Sequence, residues 1–222
     1  MVASIRIAFL AWLIAVMAPG FARAQQEFPP PQGSGRLVLV ASGAMGMGAY
    51  TGMAKVIASL GYDAVLVDGN SMEGTQGEGL RTAIGQAMRM PHALPGKFAL
   101  VGFSLGGGME LFYGTTRPDF VAGAVLWYPA TNFIHDYAGW ASRLAVPMLM
   151  FAGEADTYRN CCLIDNARKL QAAASAAGKP FELVTYPDTQ HDFIPGSRSY
   201  NPQAYNDALR RMTERLKQYF GS

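Results

Sequence analysis

Apolar residues in this chain follow two alternating patterns. Short, nearly unbroken apolar runs occupy residues 36–42 (RLVLVAS), 64–68 (AVLVD), 97–103, 121–127, 146–152 and 181–186. Between them, apolar residues recur at helical spacing over residues 50–60, 78–90, 105–116, 163–177 and 204–220. Gly61, Pro91 and Gly178 stand where three of these helices should stop. A strand apolar on both faces is one covered on both sides, as in a parallel sheet. Strands alternating with helices therefore predict an α/β domain over residues 36–222. Its expected form is three-layer and doubly wound, with a mostly parallel sheet of about six core strands. No insertion large enough for a cap domain interrupts the pattern. The most irregular stretch is the Gly-rich segment 69–79.

The N-terminus breaks this pattern. Arg6 precedes an uncharged apolar run over residues 7–18, which ends at Pro19-Gly20. Ala22-Arg23-Ala24 then has the small-x-small form of a signal peptidase site. The run has 12 residues, against about 20 for a membrane-spanning helix. Residues 1–24 are thus expected to be a cleaved signal peptide, and the protein periplasmic or secreted with no stable membrane anchor. No Cys follows the site, which argues against a lipid anchor. Residues 25–35, rich in Pro, Gln and Gly, read as a flexible leader.

Charge adds little once the leader is set apart. The formal charge is +2, from 18 basic and 16 acidic residues. Removing Arg6 and Arg23 leaves 16 basic residues and a formal charge of zero, with no footprint for nucleic acid. The two cysteines, Cys161 and Cys162, are neighbours and read most simply as free thiols. An oxidising compartment would also allow a vicinal or intermolecular disulfide. No Cys/His spacing suggests zinc, and neither metal nor cofactor is expected.

The chemistry centres on Gly102-Phe103-Ser104-Leu105-Gly106-Gly107. The apolar run ending at Phe103 enters this G-x-S-x-G directly, and a helical pattern leaves it. That is the strand–turn–helix setting of a nucleophile elbow. Glycines two residues either side of the serine allow the backbone to pass where a Cβ would clash. Such a serine needs a base, and the chain order Ser, acid, His narrows the choice. His92 precedes Ser104. His135 has one Asp between, Asp119, with no suitable strand leading into it. His191 follows the last strand and is the expected base. The acid should follow the strand before it, in Gly153-Glu154-Ala155-Asp156. Asp156 is preferred, with Glu154 as its competitor. The oxyanion hole should use the N–H of Leu105 and one from the loop after the first strand, at Gly43 or Ala44.

The order of elements, GFSLGGG, FAGEAD and QHDF together resemble the dienelactone hydrolase family of α/β-hydrolases, from about residue 36 to the C-terminus. By matched position, the resemblance implies Ser104 as nucleophile, Asp156 as acid and His191 as base, with Phe193 matching a Phe that follows the family's His. Two departures stand out. The dienelactone hydrolases proper have Cys where this chain has Ser104, and a Glu after the first strand where it has Ser42-Gly43. The implied activity is therefore hydrolysis of small esters or lactones by a serine enzyme. An acyltransferase or perhydrolase on the same triad is the nearest alternative. A binding protein on a hydrolase scaffold is the more distant one, and it places no demand on an intact triad. Trp127, Tyr128, Met45, Met47 and Met72 are candidates to line the pocket. Arg81 and Arg159 are candidates to pair with a substrate carboxylate.

Overall fold

The computed structural model describes residues 25–221; the expected signal peptide lies outside them. Seven strands form one sheet: β1 (Gln25–Phe28), β2 (Gly35–Ala41), β3 (Asp63–Val67), β4 (Ala93–Phe103), β5 (Val121–Trp127), β6 (Met148–Gly153) and β7 (Phe181–Tyr186). Their order is β1-β3-β2-β4-β5-β6-β7. Every pairing is parallel except that of β1 with β3. Six helices accompany them: α1 (Met47–Ser59), α2 (Glu78–Ala87), α3 (Ser104–Met109), α4 (Tyr137–Arg143), α5 (Ile164–Ala176) and α6 (Pro202–Phe220). No helix among the described residues is long and apolar enough to cross a membrane.

The continuous apolar strands bury both faces, and successive residues feed opposite cores. Leu39, Leu100, Leu126 and Met150 pack toward α2, α4 and α5. Val38, Val40, Val101, Val125 and Phe151 pack toward α1 and α6. The chain moves from β2 outward to β3, then returns to the other side of β2 as β4. The loops after β2 and β4 therefore diverge, and a crevice opens at the C-terminal ends of the strands. β6 lies two places from β4, and β7 next to β6.

Several elements differ from the sequence reading. Residues 25–28 are not flexible: they form β1, antiparallel to β3, with Gln25 opposite Val67 and Phe28 opposite Ala64. Phe28 is buried, and Glu27 accepts a hydrogen bond from the His92 backbone N–H at 3.2 Å. Four residues with one apolar side chain carry too little pattern to announce a strand. α4 is also new. It has seven residues, is capped by Asp136, and buries Trp140. The helix expected over residues 105–116 is α3 followed by a π-helical turn at Glu110–Gly114. There the Thr115 N–H reaches back five residues to the Glu110 carbonyl at 3.0 Å. α6 begins two residues earlier than its apolar pattern, because Asn201 caps the amides of Gln203 and Ala204 and Pro202 fits the first turn.

Asp63, at the start of β3, is fully buried, and neither carboxylate oxygen has a hydrogen-bond donor. Burial first, and then the nearby Glu27 carboxylate, push its pKa up to about 6, with His92 opposing. The folded state thus holds a proton that the unfolded chain gives up near its ordinary value, about 4. Stability should fall as pH rises from about 4 through 6. Asp63→Asn removes that charge and offers Glu27 an N–H donor. We expect its Tm to exceed the parent's by a few degrees at pH 7.5, at ~2–4 °C per kcal/mol, with the gain vanishing near pH 4. A gain that is the same at both pH values would refute this.

Candidate active site

β4 runs into Ser104, whose φ of 47° is a left-handed conformation rare for a side-chain-bearing residue. The strain is held by close backbone approaches on both sides. A Cβ on Gly102 would lie 2.5 Å from the Gly107 Cα, and one on Gly106 would lie 2.8 Å from the Ala41 carbonyl carbon. The Gly106 N–H donates to the Ser42 carbonyl at 3.1 Å, tying the elbow to the end of β2.

Ser104, His191 and Asp156 meet above this point. His191 Nε2 lies 3.0 Å from Ser104 Oγ, and Nδ1 lies 2.7 Å from Asp156 Oδ2. The Asp156 side chain is wholly buried. Its other oxygen accepts the Tyr158 backbone N–H at 3.0 Å. Glu154 turns the other way, accepting from Thr185 Oγ1 at 2.8 Å and Arg168 at 3.1 Å. Two aromatic rings fix the imidazole plane. Tyr158 stacks on it at 4.7 Å, and Tyr128 meets it edge-on at 4.9 Å. Phe193 is buried and packs edge-on against Tyr128.

The three candidate oxyanion donors sit differently. Leu105 lies in the first turn of α3, where amides lack intrahelical acceptors. The Tyr50 hydroxyl packs against Gly43. Ala44 lines the cavity with Ser104.

That cavity has a volume of ≈ 470 Å³, and His191, Met45, Tyr50, Tyr158 and Arg198 are among its walls. Met45 is 70% exposed there. The other pocket candidates are placed elsewhere. Trp127 and Met72 are core residues, and Met47 packs against the α1/α6 core. Tyr128 is buried behind His191, where its hydroxyl donates to Asp192 at 2.9 Å. Arg81 is exposed and paired with Glu78, and borders different hollows. Arg159 lies over the Tyr158 ring at 5.3 Å and is not among the cavity walls. Tyr158 and Arg198 were missed. Tyr158 follows Asp156 by two residues, and that adjacency was the available signal. Arg198 had none, because its loop has no periodicity.

Two further features surround these three side chains. Cys161 and Cys162 are not free thiols but are joined as a vicinal disulfide. Their sulfurs and a ring nitrogen of His191 lie within 4.8 Å of one another. Behind the elbow, Glu110 is fully buried, and neither carboxylate oxygen has a partner. Its Oε2 faces the Gly102 backbone. Burial holds its pKa well above the ordinary carboxyl range.

Comparisons with known proteins converge on one family. The sequence model of the dienelactone hydrolase family matches residues 67–220. A Methylorubrum extorquens protein, provisionally described as a carboxymethylenebutenolidase, is 29% identical over 132 residues. That match covers 55% of this chain and 43% of the relative, so this chain spans less than half of that protein's length. A crystal structure from Klebsiella pneumoniae subsp. pneumoniae, provisionally described as a dienelactone hydrolase, superposes with a TM-score of 0.76 at 21% identity. It covers 88% of this chain and 92% of that one. A dienelactone hydrolase-like promiscuous phosphotriesterase from metagenomic libraries gives 0.71 at 17% identity, covering 85% and 88%. A propionate-bound esterase of Thermogutta terrifontis gives 0.65 at 17% identity, covering 87% and 88%. At these identities the structures share the fold.

The packing around the elbow makes a paired test. Gly106→Ala should lower Tm and sharply reduce any activity, because its methyl group must displace the end of β2. Gly85→Ala, in α2, meets only the end of Arg89 at 3.9 Å. It should raise Tm, since Ala in a helix is worth about 0.5–1 kcal/mol over Gly. Thermal melts check both. Equal effects at the two positions would show that the elbow's close approaches do not matter.

Proposed function

The chain belongs to the dienelactone hydrolase family, and from this we propose that it is a serine hydrolase of small carboxylic esters or lactones. One observation carries the reading: a single imidazole bridges a buried carboxylate and a strained serine hydroxyl, at 2.7 and 3.0 Å. His191 Nε2 takes the proton from Ser104 Oγ as the oxygen attacks the ester carbonyl. Asp156 holds the ring with Nδ1–H toward itself and stabilises the imidazolium that forms. The amides of Leu105 and of Gly43 or Ala44 receive the oxyanion. His191 then protonates the departing alcohol, and water, activated by the same ring, releases the acid. The open cavity of ≈ 470 Å³ suits a small acyl group.

Ser104→Ala should abolish hydrolysis of p-nitrophenyl esters, by about 10⁶-fold in kcat, and abolish labelling by a fluorophosphonate. Asp156→Asn should cost on the order of 10⁴-fold through the wrong tautomer, and Glu154→Gln should cost little. Phosphonate found on Cys161 or Cys162 instead, or full activity in Ser104→Ala, would overturn the assignment.

The reading includes export, with the leader removed after Ala24. It is supported by the residue pattern before Gln25. Intact-mass measurement of the exported protein should give Gln25 as first residue. A protein outside the cytoplasm that still carried residues 1–24 would contradict it.

A further inference from the structure

Two sulfurs lie beside the proposed base, and the hydrolysis scheme makes no use of them. The disulfide follows the turn Tyr158–Asn160, where Arg159 and Asn160 both take left-handed φ values of 47° and 54°. The Cys161 carbonyl accepts the N–H groups of Thr131 and Asn132 at 2.7 and 3.0 Å. These bonds hold the backbone of the pair independently of the link between the sulfurs. Opening that link therefore leaves two thiols in place beside His191. Cys162 is buried at 4% exposure. Cys161 is half-buried, and His191 faces the open cavity, which gives an ion a way in.

We propose that reducing Cys161–Cys162 creates a site for a thiophilic divalent cation such as Zn²⁺. The two thiolates and His191 hold the ion, and its binding switches the hydrolase off. Two Cys and one His, with a fourth position open to water, are an established ligand set for zinc. Zn–S and Zn–N bonds of about 2.3 and 2.0–2.1 Å place tetrahedral ligands roughly 3.6 Å apart. The three atoms lie within 4.8 Å, so the ring nitrogen must close by at most about 1 Å while the two sulfurs, freed from each other by reduction, move apart, both on the scale of side-chain rotation. In the oxidised pair the sulfurs are bonded to each other and offer no thiolate, so that form should ignore the ion.

The chemistry balances with a phosphine as reductant. The S–S bond breaks, water supplies oxygen to the phosphine and two hydrogens to the sulfurs, and a phosphine oxide leaves. Zinc binding then releases the two thiol protons as two Zn–S bonds form. Inhibition follows whichever ring nitrogen binds. Metal on Nε2 consumes the lone pair that faces Ser104. Metal on Nδ1 displaces Asp156 and leaves the proton on Nε2, which can then only donate. The binding half of this proposal is independent of the proposed function; the switching half rests on it.

The test uses the whole protein, reduced with tris(2-carboxyethyl)phosphine, desalted without oxygen and titrated with Zn²⁺ in a calorimeter. The reduced protein should bind one ion per chain, and the oxidised protein none at the same concentrations. Reduced Ser104→Ala should bind like the parent, which separates binding from catalysis. Reduced Cys161→Ser and Cys162→Ser should each bind at least tenfold more weakly. Co²⁺ in the reduced parent should show thiolate-to-metal absorption. Ester hydrolysis should fall more than tenfold with stoichiometric Zn²⁺ only after reduction, and return with EDTA. Equal binding by oxidised and reduced protein, or binding unmoved by both cysteine variants, would overturn the site. Binding without inhibition would overturn the switch. Tight binding by a reduced protein that hydrolyses no ester in any state would instead overturn the functional reading and leave the site standing.

Discussion

The Asp156–His191 hydrogen bond is the contact on which the crevice depends. A carboxylate with no solvent exposure is costly unless its charge is matched and its oxygens are bonded. Here one oxygen is met by the imidazole at 2.7 Å and the other by the Tyr158 amide at 3.0 Å. The bond joins the loops after β6 and β7, beside the backbone bond from the Ala155 N–H to the Thr189 carbonyl at 3.1 Å. Because Nδ1 is committed to Asp156, Nε2 is the nitrogen left for Ser104. Tyr158 and Tyr128 then keep the ring from rotating, and contacts of this kind add about 0.5–1.5 kcal/mol each beyond simple burial.

A second set of bonds serves the opposite wall. Ser42, just past β2, takes the Gly106 amide on its carbonyl and the Gly69 amide on its hydroxyl, and gives its own N–H to the Val67 carbonyl. One residue thereby joins the ends of β2 and β3 to the start of α3. Ser42 sits where the strand order reverses, so the diverging loops are held at the point where they would otherwise part. The Tyr50 hydroxyl fills the space beside Gly43, and the loop leaves Ala44 facing the cavity.

Much of this was legible in the sequence because it rests on short-range pattern. Six parallel strands show as apolar runs, since both faces of each are covered. The elbow shows because glycine is required on both sides of Ser104. The positions of Asp156 and His191 follow from chain order along one sheet. What was not legible depends on partners far away in sequence. β1 is a strand because β3 offers it an edge and His92 offers Glu27 a donor, 65 residues on. Trp127 is a pocket candidate in the sequence, but its position at the end of β5 points it into the α1/α6 core. Arg81 looked available until Glu78, three residues before it, claimed it. Arg198 reaches the cavity through a loop with no pattern to read. The fate of adjacent cysteines is set by redox state and local backbone, neither of which spacing encodes.

Glu110 gives the molecule one further property. Its carboxyl lies behind Ser104 with nothing to pair with, and so stays protonated at a pH where an unfolded chain would ionise it. Between the ordinary carboxyl value and the raised one, each unfolding event therefore liberates a proton to the surroundings. A calorimeter would register the heat taken up or given off by whatever buffer captures it. Unfolding enthalpies measured there in two buffers of unequal ionisation heat would then differ, although the protein and its contacts are the same in both.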